Sequence, residues 1–175
     1  MLSRLEAEKM LEFVRLGSLT KRYHTKHVIH ENTVGHHSFG VAIIIYMLCP
    51  TASVNLIMAG LVHDLAEHIT GDMSSPTKRM YPEMAALLHK LESQFLNDAN
   101  LGFHETLSKE ELRVLDMADK IDGMLYCIGE LSLGNMSIVP IFNRYASYVE
   151  ELKPTEQEYA IYAGARCLWS QYEAK

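Results

Sequence analysis

Apolar positions recur with a helical period along almost the whole chain. The stretch Leu5 to Leu16 shows it first. From about Gly35, His37, Val41, Ile44, Ile45 and Leu48 fall at i, i+4, i+7, i+8 and i+11, one buried stripe headed by a histidine. Pro50 stops that helix, and Ser53 is suited to cap the next one. Val54 to Ala66 is apolar nearly all round, the pattern of a helix packed centrally between others, and His63 and Asp64 close it.

The stretch "GDMSSPTKRMY" reads as a loop, after which Pro82 opens a helix carrying Met84, Leu88, Leu91 and Phe95 on one stripe. Ser108 with Glu111, and Thr155 with Glu158, have capping-box spacing. The first box starts a long helix whose core stripe includes Leu115, Ala118, Ile121, Leu125 and Ile128. A further helix is expected from Ile141 to Leu152 before the last one. No strand or hairpin pattern emerges, so the expectation is an all-α bundle of about six or seven helices. At 175 residues, 1–175 fits one domain able to bury a full core.

Composition narrows the function classes. A hydrophobic share of 48% with 22% charged residues is globular, with no linker-like segment and no internal repeat. The net charge of -6 opposes docking on a phosphate backbone, and the basic residues are scattered, so duplex nucleic acid is not an expected partner. Cys49, Cys127 and Cys167 are odd in number and lack CxxC spacing, which fits a reducing compartment. The apolar runs are too short for a membrane span, and "MLSRLEAEKM" has no signal-peptide core, so a cytoplasmic protein without membrane attachment is expected. Met58, Met117 and Met124 read as core filling. Nothing resembles a Walker loop.

The chemistry concentrates in "LVHDLAEHITGD", Leu61 to Asp72. An imidazole and a carboxylate at adjacent positions ending an apolar helix are poor core residues, because burying them unpaired costs several kcal/mol. A divalent ion offsets that cost, since both groups ligate borderline and hard ions and an open site can lower the pKa of a bound water. Glu67 follows His63 at i+4, on the same face. Upstream, "ENTVGHHS" puts His37 at the buried head of a helix; downstream, "LDMADKIDG" offers Asp116, Asp119 and Asp122. Two histidines and two aspartates from three helices make a reasonable bundle metal site. Periodicity leaves the second aspartate open: Asp122 lies nearest the apolar stripe, Asp119 at its edge, and Asp116 faces away. His36, His68 and the remaining histidines read as ordinary hydrogen-bonded residues.

The ordered set "VGHHS", "LVHDLAEHITGD" and "MADKIDGMLYCIGE", with "SPTK" after the second block, resembles the HD-domain phosphohydrolases, specifically the 5'-deoxynucleotidase group. The resemblance runs from about Arg22 to Glu130. It implies His37, His63, Asp64 and Asp119 as ligands of one divalent metal ion (zinc, cobalt or manganese), with Asp119 selected because it follows Ala118. It also implies Glu67 and Asp72 around the attacked phosphate and its water, and Arg22 and Lys78 on phosphate oxygens, where a guanidinium fork and an ammonium point charge both serve. His36 stands where the family commonly has glutamate. Tyr23 stands where it has a tryptophan that packs near the sugar and helps exclude ribonucleotides.

The activity implied is metal-dependent hydrolysis at the 5' position of a deoxynucleoside phosphate. The short chain looks most like viral members that hydrolyse dATP to deoxyadenosine and triphosphate, which makes a purine deoxynucleotide the favoured partner and the host cytoplasm the expected location. A broad 5'-deoxynucleotidase acting on monophosphates is the alternative. The family's habit implies a homo-oligomer, for which exposed apolar residues of the last helix, such as Trp169, could serve as interface or else close the core. Val28 and Ile29, between Arg22 and His37, could flank a base.

Overall fold

Serine caps mark where helices begin. In the computed structural model, which describes residues 3–173, Ser3, Ser53 and Ser108 each accept the backbone N–H three residues on, opening α1 (Arg4–Leu19), α3 (Val54–Val62) and α7 (Lys109–Ser132). Ser3–Glu6 and Ser108–Glu111 close full capping boxes. Thr155 and Glu158 exchange the same pair of bonds ahead of α9 (Glu156–Glu173). Between these lie α2 (Val34–Leu48), α4 (Glu67–Thr70), α5 (Ser75–Met80), α6 (Pro82–Asp98) and α8 (Val139–Glu151). Two 3-10 turns, Phe103–Thr106 and Met136–Ile138, precede α7 and α8.

Helices α1, α2, α3, α6, α7, α8 and α9 have nine residues or more, so the all-α bundle is as expected. The stretch read as a loop contains α5. A two-residue antiparallel ribbon, β1 (Lys21–Arg22) with β2 (Asn32–Thr33), was not expected; strands this short carry no alternation to read. The central helix also ends earlier than its apolar pattern suggests. Past Val62 the N–H groups of Leu65 and Glu67 turn to carbonyls three residues back, at 3.0 Å each, tightening the backbone through His63 and Asp64.

The core lies around α7, packed by α2, α3, α8 and α9. Val41, Ile45, Leu56, Met117, Ile121, Met124 and Phe142 are almost fully buried, and each contributes about 1.5–3 kcal/mol by leaving water. Trp169 stacks on Phe142, with ring centroids 3.7 Å apart, so it belongs to the core rather than to an exposed face. Among the described residues no helix is long and apolar enough to cross a membrane.

Candidate active site

Three helices and one tightened turn converge on a cluster of imidazoles and carboxylates. His37, in the first turns of α2, is 1% exposed and aims Nε2 at Asp119 Oδ1 of α7, 3.0 Å away, and at Asp64 Oδ2, 3.6 Å away. His63 places its Nε2 3.4 Å from the same Asp64 oxygen. His37, His63 and Asp119 offer ligand atoms that all lie within 4.8 Å of one another.

The two rings are held from behind. His37 Nδ1 faces Asp122 Oδ2 at 2.6 Å, and His63 Nδ1 faces the Gly60 carbonyl at 3.0 Å. That partner fixes the Nδ1–H tautomer of His63 and leaves the Nε2 lone pair directed inward. Among the described residues neither buried Nε2 makes a hydrogen bond. Unpaired buried acceptors are costly, and four-coordinate bonds of about 2.0–2.1 Å would put ligand atoms roughly 3.3–3.4 Å apart. The residues therefore fit a divalent ion: His37, His63, Asp64 and Asp119 could hold it.

Cations surround these acids. Arg22, at the end of β1, lies 3.3 Å from Asp64 Oδ2 and 3.8 Å from Asp119 Oδ1, and Lys120 pairs with the other Asp119 oxygen. Burial alone would raise the Asp119 pKa, but Lys120 and Arg22 hold it below the usual carboxylate range. Burial, then Asp119, push Asp122 up to about 7 against the opposing charge of Arg22. Glu67, in α4, is 5% exposed with one buried oxygen unpartnered; burial and the nearby Asp64 and Asp72 push it up to about 9.

Two adjoining clefts open from the cluster. One, of about 690 Å3, is lined by Arg22, Asp64, Glu67, Asp72, Lys78 and Asp119, together with Ser75, Arg79, Lys120, Arg144, Tyr145 and Tyr148. The other, of about 300 Å3, is lined by Arg22, Tyr23, Asp72, Pro76, Pro140, Ile141, Arg144 and Tyr145. Tyr23 lines only the smaller one of this pair. Its φ of 57° is a left-handed conformation that costs a bulky residue energy, and such positions concentrate at functional sites. It is held there by stacking on Tyr126, with centroids 4.5 Å apart, and by a 2.9 Å hydroxyl–hydroxyl bond to Tyr145.

The nine residues given site roles from the sequence, Arg22, Tyr23, His37, His63, Asp64, Glu67, Asp72, Lys78 and Asp119, all belong to this cluster or line its clefts. His36 does not: its Nδ1 faces the Thr33 hydroxyl at 3.3 Å. Neither does Ile29 line either cleft; its N–H is taken by Glu130. Asp122, which helical phase placed nearest the core, backs His37. Lys120, Arg79, Arg144 and Tyr145 went unnoticed. Adjacency to Asp119 was a usable signal for Lys120, whereas Arg144 and Tyr145 look like polar positions on an amphipathic helix until the fold brings α8 over the site.

A family model described as 5'-deoxynucleotidase YfbR-like matches residues 10–163. The chain belongs to this 5'-deoxynucleotidase family. It is thus a hydrolase acting on deoxynucleotides. The 5'-deoxynucleotidase of Vibrio atlanticus is 26% identical over 163 aligned positions, covering 81% of this chain and 84% of that protein. A 5'-deoxynucleotidase of Photobacterium profundum is also 26% identical, covering 87% and 91%. Two solved structures share the fold: the PH0347 protein from Pyrococcus horikoshii OT3 (TM-score 0.68, 22% identity, 93% and 98% covered) and the cyanophage S-2L HD phosphohydrolase DatZ, bound to dA and one catalytic Zn2+ ion (TM-score 0.71, 18% identity, 91% and 96% covered).

Proposed function

We propose that this member of the YfbR-like family is a dATP triphosphohydrolase, releasing deoxyadenosine and inorganic triphosphate, with dADP and dAMP as lesser substrates. The observation that carries the hydrolytic reading is the pair of buried, unpartnered Nε2 atoms of His37 and His63 facing Asp64 and Asp119 at the floor of a cation-lined cleft. His37, His63, Asp64 and Asp119 hold one divalent ion, zinc, cobalt or manganese, with zinc favoured by the DatZ structure. When bound, the ion supplies a Lewis acid and a water of lowered pKa.

The chain's own residues do the rest. In the reaction the water oxygen joins the α-phosphorus, the bond from phosphorus to O5' breaks, and O5' leaves with a proton. Glu67, buried with an unpartnered oxygen, holds that proton, and Asp72 orients the attacked group. Arg22 and Lys78 stabilise charge on the phosphate oxygens. Tyr23, whose hydroxyl is engaged by Tyr145, packs against the sugar and disfavours a 2'-hydroxyl. Exposed Phe39, Ile43, Tyr46 and Met47 at helical spacing on α2 support a homo-oligomer, which light scattering after size exclusion reads directly.

A second reading is a broad 5'-deoxynucleotidase acting on monophosphates, favoured by the names of the curated relatives. Incubating the purified protein with cobalt or zinc and each dNTP and dNMP, followed by chromatography of products, separates the two. Deoxyadenosine and triphosphate from dATP but from no other dNTP, with slower release of deoxyadenosine from dAMP, support the first; orthophosphate from all four monophosphates supports the second. No product from any nucleotide, with metal bound, overturns both.

A further inference from the structure

The larger cleft offers far more room than one phosphoryl group fills, and its unpaired charge is not distributed at random. Of the seven arginines in the chain, Arg4, Arg15, Arg22, Arg113 and Arg166 are each ion-paired with a carboxylate. Arg79 of α5 and Arg144 of α8 make no ion pair or hydrogen bond among the described residues, and both line this cleft. In a protein of net charge -6 with 22 acidic residues, partners were available for them. Arg144 also lines the smaller cleft, as does Arg22, so it stands where the two spaces meet. Apart from Asp64, Glu67, Asp72 and Asp119, Glu151 is the single acid on the larger cleft's walls.

Arg79 and Arg144 come from separate helices to one cleft, and each guanidinium is by itself a fork that takes phosphate oxygens bidentately. Lys78 adds a third cation next to Arg79 on the wall of the same cleft. The smaller cleft, with Tyr23, Pro76, Pro140 and Ile141 on its walls, suits a base and sugar instead. We propose that Arg79 and Arg144 form a subsite for the phosphates beyond the one hydrolysed, and that they make a deoxynucleoside 5'-triphosphate a better substrate than the monophosphate. The assignment rests on the hydrolase reading above, but it concerns residues to which that reading gives no part.

The test compares wild type with Arg79→Gln, Arg144→Gln and the double variant, loaded with cobalt or zinc, on dATP and dAMP. Neither arginine has an ion-pair or hydrogen-bond partner among the described residues, so the variants should melt as wild type does. Loss of charge-assisted hydrogen bonds should lower kcat/KM for dATP at least about tenfold in the double variant, chiefly through KM, while dAMP changes less than about threefold. Equal losses on both substrates, or none on dATP, overturn the subsite.

Calorimetric titration with inorganic tripolyphosphate and with orthophosphate answers independently of turnover. Wild type should bind tripolyphosphate at least about tenfold more tightly, and the double variant should lose that margin. If tripolyphosphate merely strips metal, both proteins give the same heat and the subsite is rejected. A protein inert on every nucleotide that still loses tripolyphosphate binding in the double variant keeps the subsite and refutes the hydrolase.

Discussion

His37 Nδ1 and Asp122 Oδ2 lie 2.6 Å apart, with the histidine 1% exposed. The contact fixes ring orientation, so that Nε2 must face Asp64 and Asp119, and an acid behind a ligand histidine raises its basicity. Asp122→Ala should therefore lower metal affinity about 10–100-fold, measured by chelator competition, and Asp122→Asn, which keeps an acceptor, should lose less. Unchanged affinity in the alanine variant would remove the positioning role.

Gly40 is what lets Asp122 come so near. A Cβ at this position would sit 1.9 Å from Asp122 Oδ1, one helical turn beyond His37. Gly40→Ala must push the carboxylate aside, and it should reproduce the metal-affinity loss of Asp122→Ala without adding to it when the two are combined. Additive losses would show that Gly40 acts elsewhere.

Glu67 separates binding from chemistry. If its carboxyl holds the proton given to O5', Glu67→Gln should lower kcat about 10²–10⁴-fold while the bound metal, measured by elemental analysis, stays at the wild-type ratio. Metal loss in parallel with activity would make Glu67 a ligand or a support instead.

The fold was legible because helical phase and caps are local: Ser53, Ser108 and Thr155 capped the helices expected of them, and His37 lay on its buried stripe. The end of α3 was not legible, because the apolar run continues to Ala66 while the backbone tightens after Val62. Phase left Asp116, Asp119 and Asp122 unresolved. The structure explains why, since Asp119 and Asp122 both face the site from successive turns, one toward the imidazole's front and the other toward its back. Arg79 and Arg144 carry no motif, and only the packing of α5 and α8 brings them to one cleft.

Trp169 stacks on Phe142 at an interplanar angle of 10° and is 3% exposed, far from any role in assembly. Trp169→Ala should cost about 3–5 kcal/mol in urea unfolding. Its oligomeric state by light scattering should match wild type at temperatures where both are folded. A changed oligomer with undiminished stability would return Trp169 to an interface.

Glu130 gives the fold a pH dependence that can be worked out in sign. Its carboxylate is fully buried and accepts the N–H groups of Ile29 and His30 at 2.8 and 2.9 Å, the Asn135 side-chain amide at 2.6 Å, and approaches His30 Nδ1 at 2.6 Å. These bonds pin the connection between β1 and β2 to α7. Burial would raise its pKa, but the hydrogen bonds from Asn135, His30 and Ile29 outweigh it and hold the group below its ordinary value. A lowered native pKa means the unfolded chain binds the proton more readily. The stabilisation is then complete above about pH 4.5 and is lost as pH falls through the native value. Glu130→Gln should destabilise by about 2–4 kcal/mol at pH 7, where one charged acceptor to several donors is replaced by an amide. In urea unfolding at pH 7 and pH 4, the gap between wild type and variant should narrow at the lower pH. An equal gap at both would assign the loss to packing alone.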